Sequence, residues 1–263
     1  MTARPYVLTE VTWKHVRETT YEVALLPWGA TEAHNYHLPY GTDVLESHGV
    51  AVEAARIAWE RGARVIVLPT VPFGVNTGQL DIPLTINMNP STQMAVLSDV
   101  AESIWGQGIR KLVIINGHGG NDFKQMIREL QAVSDLFIAA LNWYQVIPAN
   151  TYFETPGDHA GELETSLMMH LHGDLVRPLS EAGSGAVRPY NVAAFREGWA
   201  WTPRSWLRAT HDTGVGDPAQ ATAEKGARYF AAVCEKIAGF IVELADTAVE
   251  RMYQDFGTLP RSH

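Results

Sequence analysis

With 263 residues and 46% hydrophobic content, the chain is long enough for one large α/β domain that needs no stabilising cross-link. A formal charge of −9, with only 20 Lys and Arg spread along the sequence, excludes nucleic acid and anionic membrane as partners, because both demand clustered cations. No apolar signal core occurs over Met1–Glu10 and no apolar run reaches about 18 residues, which predicts a soluble cytoplasmic protein.

Val23–Leu26 is an apolar run that reads as a buried strand, and the stretch after it, PWGATEAHNYHLPYGTD over 27–43, is the most informative in the chain. It places Glu32, His34, His37 and Asp43 within a dozen residues. Glu32 and His34, two apart in an extended segment, project to the same side, as ligands converging on a divalent cation must. Asp43 has two oxygens and could bridge two ions, or it could simply cap the helix that follows.

Val44–Gly62 has helical apolar spacing, and Arg64–Thr70 (RVIVLPT) reads as a second buried parallel strand. Pro72–Pro90 is a Gly-, Asn- and Pro-rich loop, long enough to be expected as a wall of a pocket. A helix is predicted from Pro90 to about Gly106, then a third strand, Lys111–Asn116, running into Gly117, His118, Gly119, Gly120 and Asn121. A helix over Asp122–Ser134 and a fourth strand over Leu136–Trp143 complete an alternation that predicts a mostly parallel sheet with helices on both faces. Ligands then gather at the carboxyl ends of the strands, where Glu32, His34, His118 and Trp143 lie.

Glycines around His118 let the backbone approach an ion or substrate, and Asn116 and Asn121 can orient the imidazole. From Asp158 the sequence DHAGELETS leads into an apolar helix ending near His172. If that helix starts near Asp158, His159 and Glu162 share a face while Glu164 is about 200° round from Glu162. That geometry favours Glu162 as the ligand, with His159 as an acid/base group and Glu164 as a supporting or structural residue, a choice that a later helix start would weaken. Gly183–Gly216 interleaves Trp199, Trp201 and Trp206 with Arg196, Arg204 and Arg208, and is expected to be a lid or subunit interface. Pro218–Asp255 reads as a long closing helix with a possible break near Gly239. Its Cys234 is the single cysteine, so no intrachain disulfide forms and any metal sits on nitrogen and oxygen, leaving zinc, manganese, iron or magnesium open. His37, His48, His170, His172 and His211 are expected as core or surface residues.

Together, TEAHNYHLPYGTD (31–43), NGHGGN (116–121), HAGELETS (159–166) and, more weakly, TGVGDPAQATAEKG (213–226) resemble the creatininase family, the creatinine amidohydrolases. The resemblance spans nearly the whole chain, 1–263, as a single domain. It implies a three-layer α/β/α fold, a hexamer built from dimers, and two divalent ions per subunit, zinc ahead of manganese or iron. Glu32 and His118 would hold one ion, His34 the other, and Asp43 both. Creatininase takes its remaining carboxylate from the position that is Gly120 here, so a replacement is needed and Glu162 is the natural one. Asn150–Asp158 also lacks the tryptophans that cover creatinine in that enzyme, leaving Trp143 nearby.

The expected activity is therefore metal-assisted hydrolysis of a non-peptide C–N bond, a cyclic amide or a formamide, in a small polar metabolite other than creatinine. His159 would carry the proton to the leaving nitrogen. The rivals are a metal-dependent isomerase or lyase and a non-catalytic binding protein on the same fold.

Overall fold

Four short apolar runs pair as parallel strands: β1 (Val23–Trp28), β2 (Val65–Val67), β3 (Lys111–Asn116) and β4 (Phe137–Asn142), in the order β2-β1-β3-β4. They are seen in a computed structural model that describes residues 3–254. β1 and β3 are buried along their whole length, and their Val, Leu and Ile content is what a strand covered on both faces requires. β2 is shorter than the Arg64–Thr70 run, with ladder pairing confined to Val65, Ile66 and Val67.

The eight α-helices among the described residues are α1 (Trp13–Glu18), α2 (Thr42–Glu60), α3 (Pro90–Gly106), α4 (Lys124–Gln131), α5 (Glu162–His172), α6 (Ala193–Arg196), α7 (Trp206–Ala209) and α8 (Ala223–Asp246). Alternation along each strand divides the core in two. Val23, Leu25, Val65, Val67, Val113 and Ile115 face α2 and α8. Ala24, Leu26, Ile66, Leu112 and Ile114 face α3 and α4. This is the three-layer α/β/α arrangement, with each fully buried aliphatic side chain contributing about 2 kcal/mol.

Close helix contact shapes the layer that carries the site. An alanine-rich stripe of α2, Ala51, Ala54, Ala55 and Ala58, packs under Val233, Cys234 and Ile237 of α8. α8 approaches α5 so closely that a Cβ on Gly226 would lie 1.9 Å from the Ser166 carbonyl oxygen.

Two expectations are corrected here. The closing helix starts at Ala223, where Thr222 caps the Lys225 N–H, runs without a break past Gly239, whose surroundings are open, and ends at Asp246, where Thr247 turns extended; the expected end at Asp255 itself lies outside the described residues. The helix expected from Asp158 starts instead at Glu162. Asp158 and His159 are extended and hydrogen-bonded to Val215, and Ala160 follows at φ 50°, so no helical turn can form before Gly161.

Candidate metal centre

The ends of β1 and β3 and the first turns of α2 and α5 converge on one buried cluster. The loop after β1 supplies Glu32 and His34, α2 supplies Asp43, and the turn after β3 supplies His118; all four are buried. Asp43 divides its carboxylate between the two imidazoles: Oδ1 lies 2.9 Å from His34 Nε2, and Oδ2 lies 3.0 Å from His118 Nδ1. Glu32 Oε1 is 2.9 Å from His118 Nδ1.

The ring nitrogens that face away are committed. His118 Nε2 lies 3.0 Å from the Val75 carbonyl, and His34 Nδ1 lies 3.1 Å from the Glu32 carbonyl, so each donates there and turns its other nitrogen on the cluster. Asn116 and Asn121 brace the backbone of the His118 turn and do not hydrogen-bond to the imidazole, whose nitrogens meet Val75, Glu32 and Asp43. Asn116 accepts from the His118 N–H at 3.2 Å and donates to its carbonyl at 2.8 Å. Asn121 donates to Asn116 at 3.0 Å and itself accepts from Gln93 of α3 at 2.7 Å.

Glu164, not Glu162, completes the cluster. Because α5 begins late, Glu164 enters from its first turn and forms a donor set with His34 and Asp43 in which the ligand atoms lie within 4.8 Å of one another. Glu32, Asp43 and His118 form an adjacent set, and Glu32, His34 and His159 a third. Glu162 points elsewhere: Lys225 Nζ donates to its Oε1 at 2.5 Å and the Thr155 N–H to its Oε2 at 2.8 Å. Gly120 explains why a carboxylate cannot come from that position, since a Cβ there would lie 2.3 Å from the Val75 carbonyl that orients His118.

His159 stacks on His34 with ring centroids 4.1 Å apart and donates from Nε2 to the Ala33 carbonyl at 2.8 Å. Its Nδ1 is left 3.8 Å from Glu32 Oε1. Trp143 is a second correction. It is buried in the hydrophobic core beside Tyr144 and Tyr229 and lines neither cavity described below. Two residues carried no sequence signal. Gln79, in a 3-10 turn over Thr77–Gln79, donates to Glu32 Oε2. Glu46, one turn after Asp43, is fully buried with neither carboxylate oxygen hydrogen-bonded. The histidines set aside do sit elsewhere: His37 meets Thr165 at 2.8 Å, His48 meets Thr70 at 3.2 Å and His211 meets Arg188 at 2.9 Å.

The electrostatics suit cations. Burial works against an imidazolium at His34, yet the Asp43 carboxylate outweighs it and lifts the group to about 10. His118 is raised for the same reason, by Glu32 first and then Asp43, against burial. His159 goes the other way, to about 4, through burial and the neighbouring His34 charge. Burial and the Asp43 charge push Glu164 up to about 7. Three converging, largely buried carboxylates, with Asp43 Oδ2 making no hydrogen bond although it lies 3.0 Å from His118 Nδ1, make a nitrogen-and-oxygen donor set that fits divalent metal.

Two cavities meet at this cluster. One, of about 420 Å³, lies between the 75–79 loop, the His118 turn and the 190–206 segment, so the Pro72–Pro90 loop and part of the Trp-rich stretch do wall a pocket. The other, about 350 Å³, opens toward Tyr144, Gly157 and Glu164. Glu32, His118, Gly119, Asp158 and His159 border both.

Comparison with known proteins agrees with the geometry. The mycofactocin precursor peptide peptidase of Mycobacterium tuberculosis is 30% identical over 223 residues, 80% of this chain and 81% of that protein. A crystal structure from Bacteroides fragilis is 48% identical with a TM-score of 0.88, covering 93% of this chain and 98% of that one. A creatininase structure described as the manganese form shares the fold at 24% identity, with a TM-score of 0.73 over 93% of this chain and 100% of that one. The family model of the creatininases, described as creatinine amidohydrolase, matches residues 9–241, and this chain belongs to that family.

Proposed function

We propose that the protein is a two-metal amidohydrolase that cleaves a non-peptide C–N bond, a cyclic amide or a formamide, in a small polar metabolite other than creatinine. The observation that carries this reading is the division of Asp43, one carboxylate oxygen toward each imidazole, between two adjacent donor sets. Glu32, Asp43 and His118 would hold one ion, and His34, Asp43 and Glu164 the other. Zinc or manganese suits such nitrogen and oxygen ligands. Bound there, the ions supply Lewis acidity and bring the pKa of a water toward neutrality.

The chain's own groups do the remaining work. Gln79 and the Val75 carbonyl fix the orientation of Glu32 and His118. His159 holds the proton in transit: Nε2 is committed to Ala33, so Nδ1, facing the cluster, receives it and returns it to the leaving nitrogen. The low pKa of His159 keeps that atom unprotonated, and ready to accept, at neutral pH. Trp206, 4.7 Å from the His159 ring, shields it on the substrate side. The family resemblance extends the proposal to a homo-hexamer in the cytoplasm, with light scattering as the check on assembly.

The test is a panel of cyclic amides, formamides and short peptides offered to zinc- and manganese-loaded protein, with amine or formate release and uptake of ¹⁸O from labelled water as readouts. Hydrolysis of a cyclic amide or formamide with one labelled oxygen in the product is expected. Turnover without ¹⁸O would point to isomerisation and sink the proposal. A second reading, cleavage at a peptide bond, is favoured by the second cavity beyond the cluster and by the peptidase named among the relatives; hydrolysis confined to the peptides would establish it.

A further inference from the structure

The larger cavity carries one fixed positive charge. Among the described residues that line it, Arg204 is the sole Lys or Arg. It is held at three points. Its guanidinium carbon lies 4.9 Å over the Trp206 ring, and Nη2 donates to Asp158 Oδ2 at 3.0 Å. Its backbone rests on the Thr77–Gln79 turn, where a Cβ on Gly78 would lie 2.0 Å from the Arg204 carbonyl oxygen. Such close seating is open only to glycine, so the turn carrying Gln79 and the strap carrying Arg204 form one unit.

We infer that Arg204 is a specificity residue that binds an anionic group, carboxylate or phosphate, on the substrate, at the end remote from the scissile bond. Several observations support this. Only one of the five guanidinium donors has a partner among the described residues, and that partner, Asp158, is mostly exposed. Contact with the Trp206 ring and the bond to Asp158 restrain the guanidinium, so less side-chain freedom is lost when an anion docks. Trp206 also touches His159, with centroids 4.7 Å apart. Arg204 is therefore no farther from the proton-carrying ring than the two spacings laid end to end, a span that a short acyl or aminoacyl unit bridges. Apart from His118 and His159, whose Nδ1 atoms lie toward Glu32, the cavity's other ionisable groups include the acidic Glu32 and Asp158, so an anion finds no other Lys or Arg among the described lining residues. The inference rests on the hydrolase reading only for which end of the substrate meets the metals.

The experiment uses zinc-loaded protein and matched probes: N-formylglycylglycine, its neutral C-terminal amide, and N-formyl-O-phosphoethanolamine. Calorimetry gives binding, and formate release gives turnover separately. The wild type should bind the carboxylate at least about tenfold tighter than its amide, the size of one charge-assisted hydrogen bond. Arg204→Gln should erase that gap while leaving the neutral amide within about twofold, which a merely structural effect on the strap would not do. Arg204→Lys should recover only part of it, since the ammonium cannot form the fork. Preference for the phosphate over the carboxylate probe would assign a phosphorylated substrate, and the reverse a carboxylate; either supports the inference. No gap in the wild type, or an equal gap in Arg204→Gln, overturns it. Tight, charge-selective binding without formate release would leave Arg204 standing and count against the hydrolase reading alone.

Discussion

Glu162 and Glu164, two residues apart at the start of α5, should respond oppositely to the same chemical change. In Glu162→Gln one of two buried carboxylate oxygens becomes an amide. Lys225 Nζ and the Thr155 N–H both donate into that carboxylate, and a glutamine offers only one acceptor, so one donor is left unmet. An unmet buried donor costs about 1–3 kcal/mol, and losing a negative charge at a helix N-terminus adds a few tenths. At about 2 kcal/mol, Tm should fall by about 4–8 °C in a protein of this size. Its metal content should stay at the wild-type value.

Glu164→Gln should do the reverse. Elemental analysis should show a loss of about one ion per chain, while the chelator-treated protein is at least as stable as wild type. The sign follows from its raised pKa: a carboxyl lifted to about 7 keeps its proton on folding, so its contribution falls away as pH rises from the ordinary carboxylate range to about 7. Glutamine removes that penalty at pH 8. Metal analysis and chelator-treated melts of both variants make the assay. Loss of an ion from Glu162→Gln, or a full complement in Glu164→Gln, would refute the reasoning.

The remaining predictions concern the same cluster and its supports. Asp43→Ala should lose both ions, whereas His159→Ala should keep them and lose about 10²–10⁴-fold in kcat, read by elemental analysis beside turnover. Metal affinity should climb with pH from about 7 toward 10, because the ion displaces the proton that Asp43 holds on His34; chelator competition should give up to about a tenfold gain per unit for each proton released. Gly226→Ala should destabilise the fold by about 1–3 kcal/mol through the clash with Ser166, seen in denaturant melts with metal content unchanged.

The layered core was legible in the sequence because strands buried on both faces must be continuously apolar. Val23–Leu26 and Lys111–Asn116 announce themselves that way, and the motifs at their ends followed directly. Glu32, His34, Asp43 and His118 are brought together as the spacing suggested, since three lie in one loop-to-helix passage. Glu162 was misread because a capping aspartate at Asp158 outweighed a tertiary contact: Val215 holds His159 extended, and local spacing carries no trace of a partner so far along the chain. Trp143 was misplaced for a related reason, as an aromatic at a strand end fits a pocket and a core equally well. The turn carrying Gln79 and the strap carrying Arg204 meet only because Gly78 admits the Arg204 carbonyl, which no pattern of residue types within either stretch encodes.

The division of Asp43 has a consequence for folding itself. Glu32 and Asp43 come from one loop-to-helix passage and His118 and Glu164 from two distant stretches, so ions seated among them would act as a clasp across the carboxyl edge of the sheet. Whatever binds only the folded chain stabilises it by mass action, about 2.7 kcal/mol at a free concentration one hundred times its dissociation constant. With the proposed ions bound, the melting temperature would gauge available metal, and a cell short of that metal would lose folded protein as well as the proposed turnover.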